Sequence, residues 1–314
     1  MSGRHDGEPS RTHMNRLRRM LPFLMPTRNE AWVLFSQEIA AAPTRELAAE
    51  LSRARPAERP ATPFHLLLCA IARTLHEYPR LNRLLAGGRH YDRRGVWLAF
   101  SGKQRLDADA PVFSRKMEFR EGEPVQHAID RIYELLEFGR SGRDSASDRE
   151  VDVLLRLPCP LLRLAVRSAR WLDGAGLLPR AMTEDDPLYA SAFVTNLGSV
   201  GLDACYHHLF EHGNAPIFVT MGRVHRAPFV EDDGRVTSRE VFELKYTFDE
   251  RTEDGFYAAR GIEHLKRLLE SPRDLLAPGD LLAPGDLLAP GDLAGASTGA
   301  DAASPRAAGS ASGA

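Results

Sequence analysis

Apolar and polar positions alternate along this chain with two different periods. WVLFSQEI at 32–39 is apolar and β-branched with a polar flank, which predicts a strand. The Ala-, Arg- and Glu-rich run TRELAAELSRARPAERP reads as helical until its prolines stop it. TPFHLLLCAIARTLHEYPRL at 62–81 carries the clearest helical period, with Thr62 placed to cap it and Pro63 suited to the first turn. VWLAFSG at 96–102 and PVFSRKMEF at 111–119 read as strands, and EPVQHAIDRIYELLEFG at 123–139 as an amphipathic helix closed by Gly139. The polar stretch 140–150 predicts a loop, followed by an Arg-rich helix up to Gly174 and Gly176. SAFVTNLGSVGLDA at 191–204 predicts a strand running into a glycine-rich turn, and APIFVTMGRV at 215–224 another strand. A polar hairpin at Asp232-Asp233-Gly234 leads into VFELKYTFDE at 241–250, whose faces alternate, and DGFYAARGIEHLKRLLESP is a last amphipathic helix ending at Pro272.

Irregular alternation of strands and helices, with a hairpin joining the last strands, predicts one mixed-sheet α/β domain over residues 21–272. Residues 1–20 are polar and basic, and are expected to be a disordered arm. From 273 to 314 the repeated LLAPGD and an Ala/Ser/Gly tail offer little apolar surface, so disorder is expected there too. A six-residue period holding Pro-Gly cannot continue a helix, and each copy is too short to be a solenoid unit.

Composition then removes several classes of function. The 314 residues hold 41 Lys plus Arg against 43 Asp plus Glu, and this near-neutrality argues against a general nucleic-acid binder, the basic N-terminus being a local exception. Three cysteines, Cys69, Cys159 and Cys205, lack metal-ligand spacing and sit beside apolar residues; buried free thiols in a reducing cytoplasm are expected. The opening segment is too short and too broken by proline for a signal peptide. The apolar run 151–172 is interrupted by Arg156, Arg163, Arg167 and Arg170, and each arginine costs about 2.5–3.5 kcal/mol at a bilayer centre. No transmembrane segment is expected there; a helix packed on the protein is preferred over one lying at a membrane surface. GSVG at 198–201 is not a serine-hydrolase elbow, and no phosphate loop occurs.

Four segments in order carry a resemblance: MPTRNEAWVLFSQEI, FHLLLCAIARTLHEYPRLN, FVTNLGSVG with APIFVTMGRV, and FELKYTFDERTEDG with the helix to LLESP. Together, over about residues 20–272, they resemble the catalytic domain of the dihydrolipoyl acyltransferases of 2-oxoacid dehydrogenase complexes, whose fold is chloramphenicol acetyltransferase-like. The stretch 140–187 departs from that pattern as an atypical helical stretch; its part 151–187, with Trp171 and Leu177-Leu178, reads as a cover on the core, the alternative being that it shapes an acyl pocket. The resemblance implies a trimer, with active sites in channels between subunits, and a coenzyme A thioester as substrate rather than a covalently bound cofactor. It also implies catalysis by a histidine in the motif Asp-His-Arg-x-x-Asp-Gly. Here that motif reads Asp249-Glu250-Arg251-Thr252-Glu253-Asp254-Gly255, so Glu250 stands where the histidine is expected. With no lipoyl domain ahead of this region in the sequence, acyl groups are expected from free acyl-CoA, an acyl carrier or the lipoyl domain of another protein.

The resemblance places Thr195, in Val194-Thr195-Asn196-Leu197-Gly198, as the hydroxyl that holds the oxyanion of a tetrahedral intermediate. The bland reading of Thr195 is a β-branched strand residue. Glu250 would be the general base, although a carboxylate, with a reference pKa of about 4.3, is a poor base for a thiol. Asp254 and Gly255 carry over as structural support of the site, and Arg251 as a solvent or interface partner. His207, His208, His212 and His225 lack a metal-ligand spacing, so no metal site is expected; His207 or His208 near the channel is a minor alternative to surface histidines. Two functions stay open on these residues: acyl transfer, or a catalytically inactive trimeric scaffold, regulatory partner or acyl-CoA-binding protein.

Overall fold

In the computed structural model, residues 4–280 are described, except 13, 106, 108, 144, 232, 278 and 279. The elements run β1 (Gly7–Pro9), α1 (Arg16–Leu24), β2 (Trp32–Ala40), α2 (Ala41–Ser52), α3 (Pro63–Glu77), β3 (Arg83–Ala86), β4 (Arg89–Arg93), β5 (Val96–Lys103), β6 (Val112–Phe119) and α4 (Val125–Arg140). There follow α5 (Ala146–Leu155), α6 (Cys159–Gly174), α7 (Ala181–Glu184), β7 (Ala192–Asn196), β8 (Ile217–Met221), β9 (His225–Val230), β10 (Val236–Asp249) and α8 (Gly255–Glu270).

A seven-stranded sheet in the order β2-β10-β8-β7-β5-β6 organises the chain, with β9 paired to β10. β5–β7 and β7–β8 run parallel and the other pairs antiparallel, so the sheet is mixed, as the pattern predicted. Strand alternation gives the two faces different partners. Val96, Leu98, Phe100, Ala192, Val194, Val219, Met221, Leu244, Tyr246 and Phe248 point one way, into a core completed by Leu66, Leu67, Leu68, Ile71 and Leu75 of α3, Ile129 and Ile132 of α4, and Leu265, Leu268 and Leu269 of α8. Ala99, Phe193 and Phe218 point the other way and meet Ala190 and Leu209 in a smaller cluster. β1, β4 and β3 form a separate three-stranded sheet.

Several expectations need correction. Residues 4–20 are not a free arm: Gly7–Pro9 pair with Tyr91–Arg93, and Arg4 is buried in ion pairs with Asp6 and Asp173. At the other end Pro272–Leu275 form a 3-10 turn whose Leu275 joins the main core, so order extends past 272. The tail expected to be disordered, from 281 onward, lies outside the described residues. Cys159 and Cys205 are exposed rather than buried, and Cys69 is half-buried. The polar loop expected over 140–150 is shorter, a turn after α4 that gives way to α5 at Ala146, capped by Ser145 and Asp148. The expected single helix breaks at Pro158 into α5 and α6, and none of the residues described in them is buried. Leu161, Leu164, Val166 and Trp171 of α6 are exposed, so this segment does not cover the core. Among the described residues no helix is long and apolar enough to cross a membrane.

Thr62 caps α3 as predicted, but its partner is a histidine. The Thr62 side chain accepts from His65 N, and the His65 Nδ1 accepts from Thr62 N–H at 3.1 Å. An accepting Nδ1 must be unprotonated. Burial, and secondarily Arg55, push His65 down to about 4, below the ordinary value of about 6.5. Between these values the unfolded chain binds a proton that the folded chain does not, so stability rises with pH through this window. Acidification from pH 6.5 to 5 is therefore expected to destabilise the wild type by up to about 1.4 kcal/mol per pH unit through this group. His65→Gln, which keeps a capping side chain, should show a shallower loss in urea unfolding measured across that range.

Candidate functional site

The FDERTEDG segment forms a turn between β10 and α8 that is held by buried charges. Arg251 Nε and NH2 each donate at 2.8 Å to the two oxygens of Asp249, and Arg251 NH1 donates to Met25 O at 2.8 Å. Glu253 Oε2 accepts from Arg80 Nε at 2.6 Å and from Arg83 NH1 at 2.8 Å. Arg83 and Glu253 are both buried, which ties the turn to β3. Asp254 Oδ1 accepts from Tyr257 N at 2.9 Å and caps α8. Gly255 opens that helix, and nothing lies within 4 Å of a Cβ built on it. Arg251, expected at solvent or an interface, is instead 3% exposed, because its fork is occupied by Asp249.

Glu250 is half-buried in this turn, as is Asp254. Its N–H donates to Ala31 O at 3.0 Å and its carbonyl accepts from Arg18 NH1 at 2.6 Å. Its carboxylate has no hydrogen bond or ion pair among the described residues. Thr195 lies elsewhere. It pairs with Thr220, and Thr220 pairs with Lys245, five residues before Glu250 on β10. At ~3.3 Å per residue that is about 16 Å along the strand, with two strand spacings of about 4.8 Å across it. One chain does not bring Glu250 and Thr195 together.

What surrounds Thr195 is the second face of the sheet. Parallel neighbours need a crossover, usually a helix. Between β7 and β8 the crossover is instead a 3-10 turn (Leu197–Val200) and an irregular segment through 202–214, whose carbonyls find their donors in the sheet below. Lys245 Nζ donates to Ala204 O at 3.1 Å, the Thr220 hydroxyl donates to Cys205 O, and the Thr247 hydroxyl donates to His207 O. The turn itself needs glycine: a Cβ on Gly198 would sit 2.6 Å from Gly222 O.

Pinned in this way, His207 lays its ring on Phe218, with centroids 3.9 Å apart and planes at 10°. Its Nδ1 lies 2.7 Å from His208 O; a carbonyl only accepts, so Nδ1 carries the proton. Burial holds His207 below its ordinary value and favours the neutral ring. His212 Nε2 lies 3.3 Å from Asp186 Oδ2, while His208 and His225 are not part of this wall. Thr195, His207, His212 and Cys205 all line one cavity of about 840 Å³, together with Phe193 and Phe218 of the sheet and Phe113 and Arg115 of β6. Its outer wall comes from α5, through Asp148 and Val151, and Arg115 NH2 donates to Asp148 at 2.8 Å. The Thr195 hydroxyl has no hydrogen-bond partner among the described residues. Among those residues no group of three or more His, Cys, Asp or Glu side chains is placed to hold a metal.

The comparisons agree with this architecture. Residues 180–277 match the family described as 2-oxoacid dehydrogenases acyltransferase (catalytic domain). The dihydrolipoyllysine-residue acetyltransferase components of pyruvate dehydrogenase complex from Staphylococcus aureus and Staphylococcus epidermidis are 32% and 31% identical over 95 residues, 30% of this chain. The matched stretch spans 21% of the length of those relatives. Among solved structures, a probable dihydrolipoamide acetyltransferase from Listeria monocytogenes superposes with a TM-score of 0.56 at 16% identity, covering 83% of this chain and 94% of that one. The dihydrolipoamide acetyltransferase of Azotobacter vinelandii gives 0.55 at 18% identity, over 86% of this chain and 94% of that one. The fold is thus that of the acyltransferase catalytic cores over most of the chain. Its C-terminal part, from 180 to 277, is similar in sequence to acyltransferase catalytic domains of the 2-oxoacid dehydrogenase type.

Thr247→Val keeps the side-chain shape and removes only the donor to His207 O. Leaving that carbonyl without its partner should cost about 1 kcal/mol in urea unfolding and speed amide exchange locally over residues 204–210.

Proposed function

We propose that this chain is an acyltransferase that moves an acyl group from a coenzyme A or carrier thioester to a thiol or hydroxyl acceptor, in the cavity beside Thr195. The observation that carries this reading is the Thr195 hydroxyl, without a hydrogen-bond partner among the described residues, in a residue that lines a cavity of about 840 Å³, on a fold and a sequence segment of the acyltransferase type. A hydroxyl with no internal partner is free to donate to a developing oxyanion, the term that such sites supply most effectively. The aromatic wall, with Phe193 and Phe218, suits an acyl chain, and the exposed Arg143 suits the phosphates of a coenzyme.

Glu250 enters this reading only through a second copy. Because one chain holds Thr195 and Glu250 far apart, the homotrimer implied by the resemblance would have to bring one chain's Glu250 to the next chain's Thr195. Glu250, where the resemblance expects a histidine, favours the second reading, a catalytically inactive trimeric scaffold, regulatory partner or acyl-CoA-binding protein.

Both readings are tested with acyl-CoAs from acetyl to octanoyl and dihydrolipoamide as acceptor, the acylated product being followed by mass spectrometry. Acyl transfer predicts turnover by the wild type. It also predicts a kcat loss of about 10²–10³-fold in Thr195→Val with Thr195→Ser largely active. A wild type that binds acyl-CoA without turnover supports the scaffold reading. Mass in solution tests the trimer, and a monomer would remove Glu250 from any shared site.

A further inference from the structure

We infer that the general base of this chain is His207, acting on the same cavity, in the same chain, as the Thr195 hydroxyl. The inference rests on the acyl-transfer reading and names the group that would do its proton chemistry.

Sheet register gives the placement. Phe193 and Phe218 are cross-strand partners, and Thr195 follows Phe193 by two residues, so all three side chains share the second face. Diagonal neighbours on one face lie about 7–8 Å apart, which sets the distance from Phe218 to Thr195. The His207 ring lies stacked one layer above Phe218, and both His207 and Thr195 line the cavity. The cavity they share, of about 840 Å³, is large enough to admit a thioester carbonyl and its nucleophile.

The ring's chemistry follows from its hydrogen bond. Nδ1–H donates to His208 O, so the neutral ring carries its lone pair on Nε2, which has no partner among the described residues. Rotation is restrained by the Phe218 stack, and the backbone beneath is held by the Thr247 hydroxyl on His207 O. A base with a fixed tautomer, a restrained ring and an unused lone pair meets the geometric requirements of a general base. Glu250 also has free lone pairs, but within one chain it lies beyond the far end of β10, away from Thr195 and this cavity.

In the step that follows, Nε2 takes the proton of the acceptor thiol or hydroxyl as its sulfur or oxygen attacks the thioester carbonyl carbon. The new bond pushes the carbonyl electrons onto oxygen, where the Thr195 hydroxyl donates to them. Collapse re-forms the carbonyl and breaks the carbon–sulfur bond of the donor. The leaving thiolate takes the proton back from the His207 imidazolium, which returns the ring to its starting state.

The test compares His207→Gln, His207→Ala and Glu250→Gln in the full chain, with acetyl-CoA to octanoyl-CoA as donors and dihydrolipoamide as acceptor. Near-ultraviolet circular dichroism confirms folding of each variant. The expected result is a kcat loss of about 10²–10⁴-fold in both His207 variants with KM changed only a few-fold. Glu250→Gln should lose at least tenfold less, and added imidazole should restore part of the rate of His207→Ala. Loss confined to Glu250→Gln overturns the inference while leaving acyl transfer standing. A His207 variant that raises KM without lowering kcat, or that imidazole does not rescue, also overturns it. A wild type inert on every thioester removes the acyl-transfer reading, and this inference falls with it.

Discussion

Three side chains of the sheet hold up a segment that has no ladder of its own. Lys245, Thr220 and Thr247 donate to the carbonyls of Ala204, Cys205 and His207, and so lay the β7–β8 crossover across the second face. A buried or half-buried backbone carbonyl without a donor is costly, so these bonds fix where the segment runs rather than merely decorating it. Once it is fixed, Leu209 closes over Ala99, Phe193 and Phe218, and the His207 ring comes to rest on Phe218. The cavity beside Thr195 is what remains between this strap, β6 and α5. One face of the sheet is thus ordinary core, and the other is a floor on which side chains are displayed.

The FDERTEDG turn illustrates how a motif can carry structure more visibly than chemistry. Asp249 and Arg251 satisfy each other in a two-pronged pair, and Glu253 is shared between Arg80 and Arg83. Removing one partner of such a buried pair typically costs about 3–5 kcal/mol, because the other charge is left uncompensated. These residues hold β10, α8 and β3 in register whatever stands at position 250. The carboxylate of Glu250, unpaired among the described residues, is the member of the turn whose purpose a single chain does not reveal.

Much of the fold was legible because local and tertiary preferences agree. α3 begins at its Thr62 cap, β10 follows its alternating pattern, and α8 starts at Asp254. Readings failed where long-range partners decide. The N-terminal residues read as a polar arm, since nothing local signals that Arg4 meets Asp173, 169 residues away. The apolar residues of α6 read as a face packed on the protein, yet Leu161, Leu164 and Trp171 are exposed. Of the candidate site, the resemblance marked Thr195 and Glu250 and implied that they meet only across subunits; within one chain β7, β8 and β10 do set them at a distance. His207 appeared among several histidines in CYHHLFEHG with no spacing to single it out. Its distinction lies in the Phe218 stack and the Nδ1 hydrogen bond, both products of the crossover's path. Cys205, exposed despite apolar neighbours, was misread for the same reason.

The central claim is that acyl chemistry is housed on the second face of the sheet, under the strap. The most direct measurement is a crystal structure of the chain with an unreactive thioether analogue of an acyl-CoA, one that keeps the carbonyl. The account predicts the carbonyl oxygen within hydrogen-bond reach of the Thr195 hydroxyl, with the His207 Nε2 facing the reacting carbon and the acyl chain against Phe193 and Phe218. An analogue bound with its carbonyl at Glu250, or away from the cavity altogether, would contradict it.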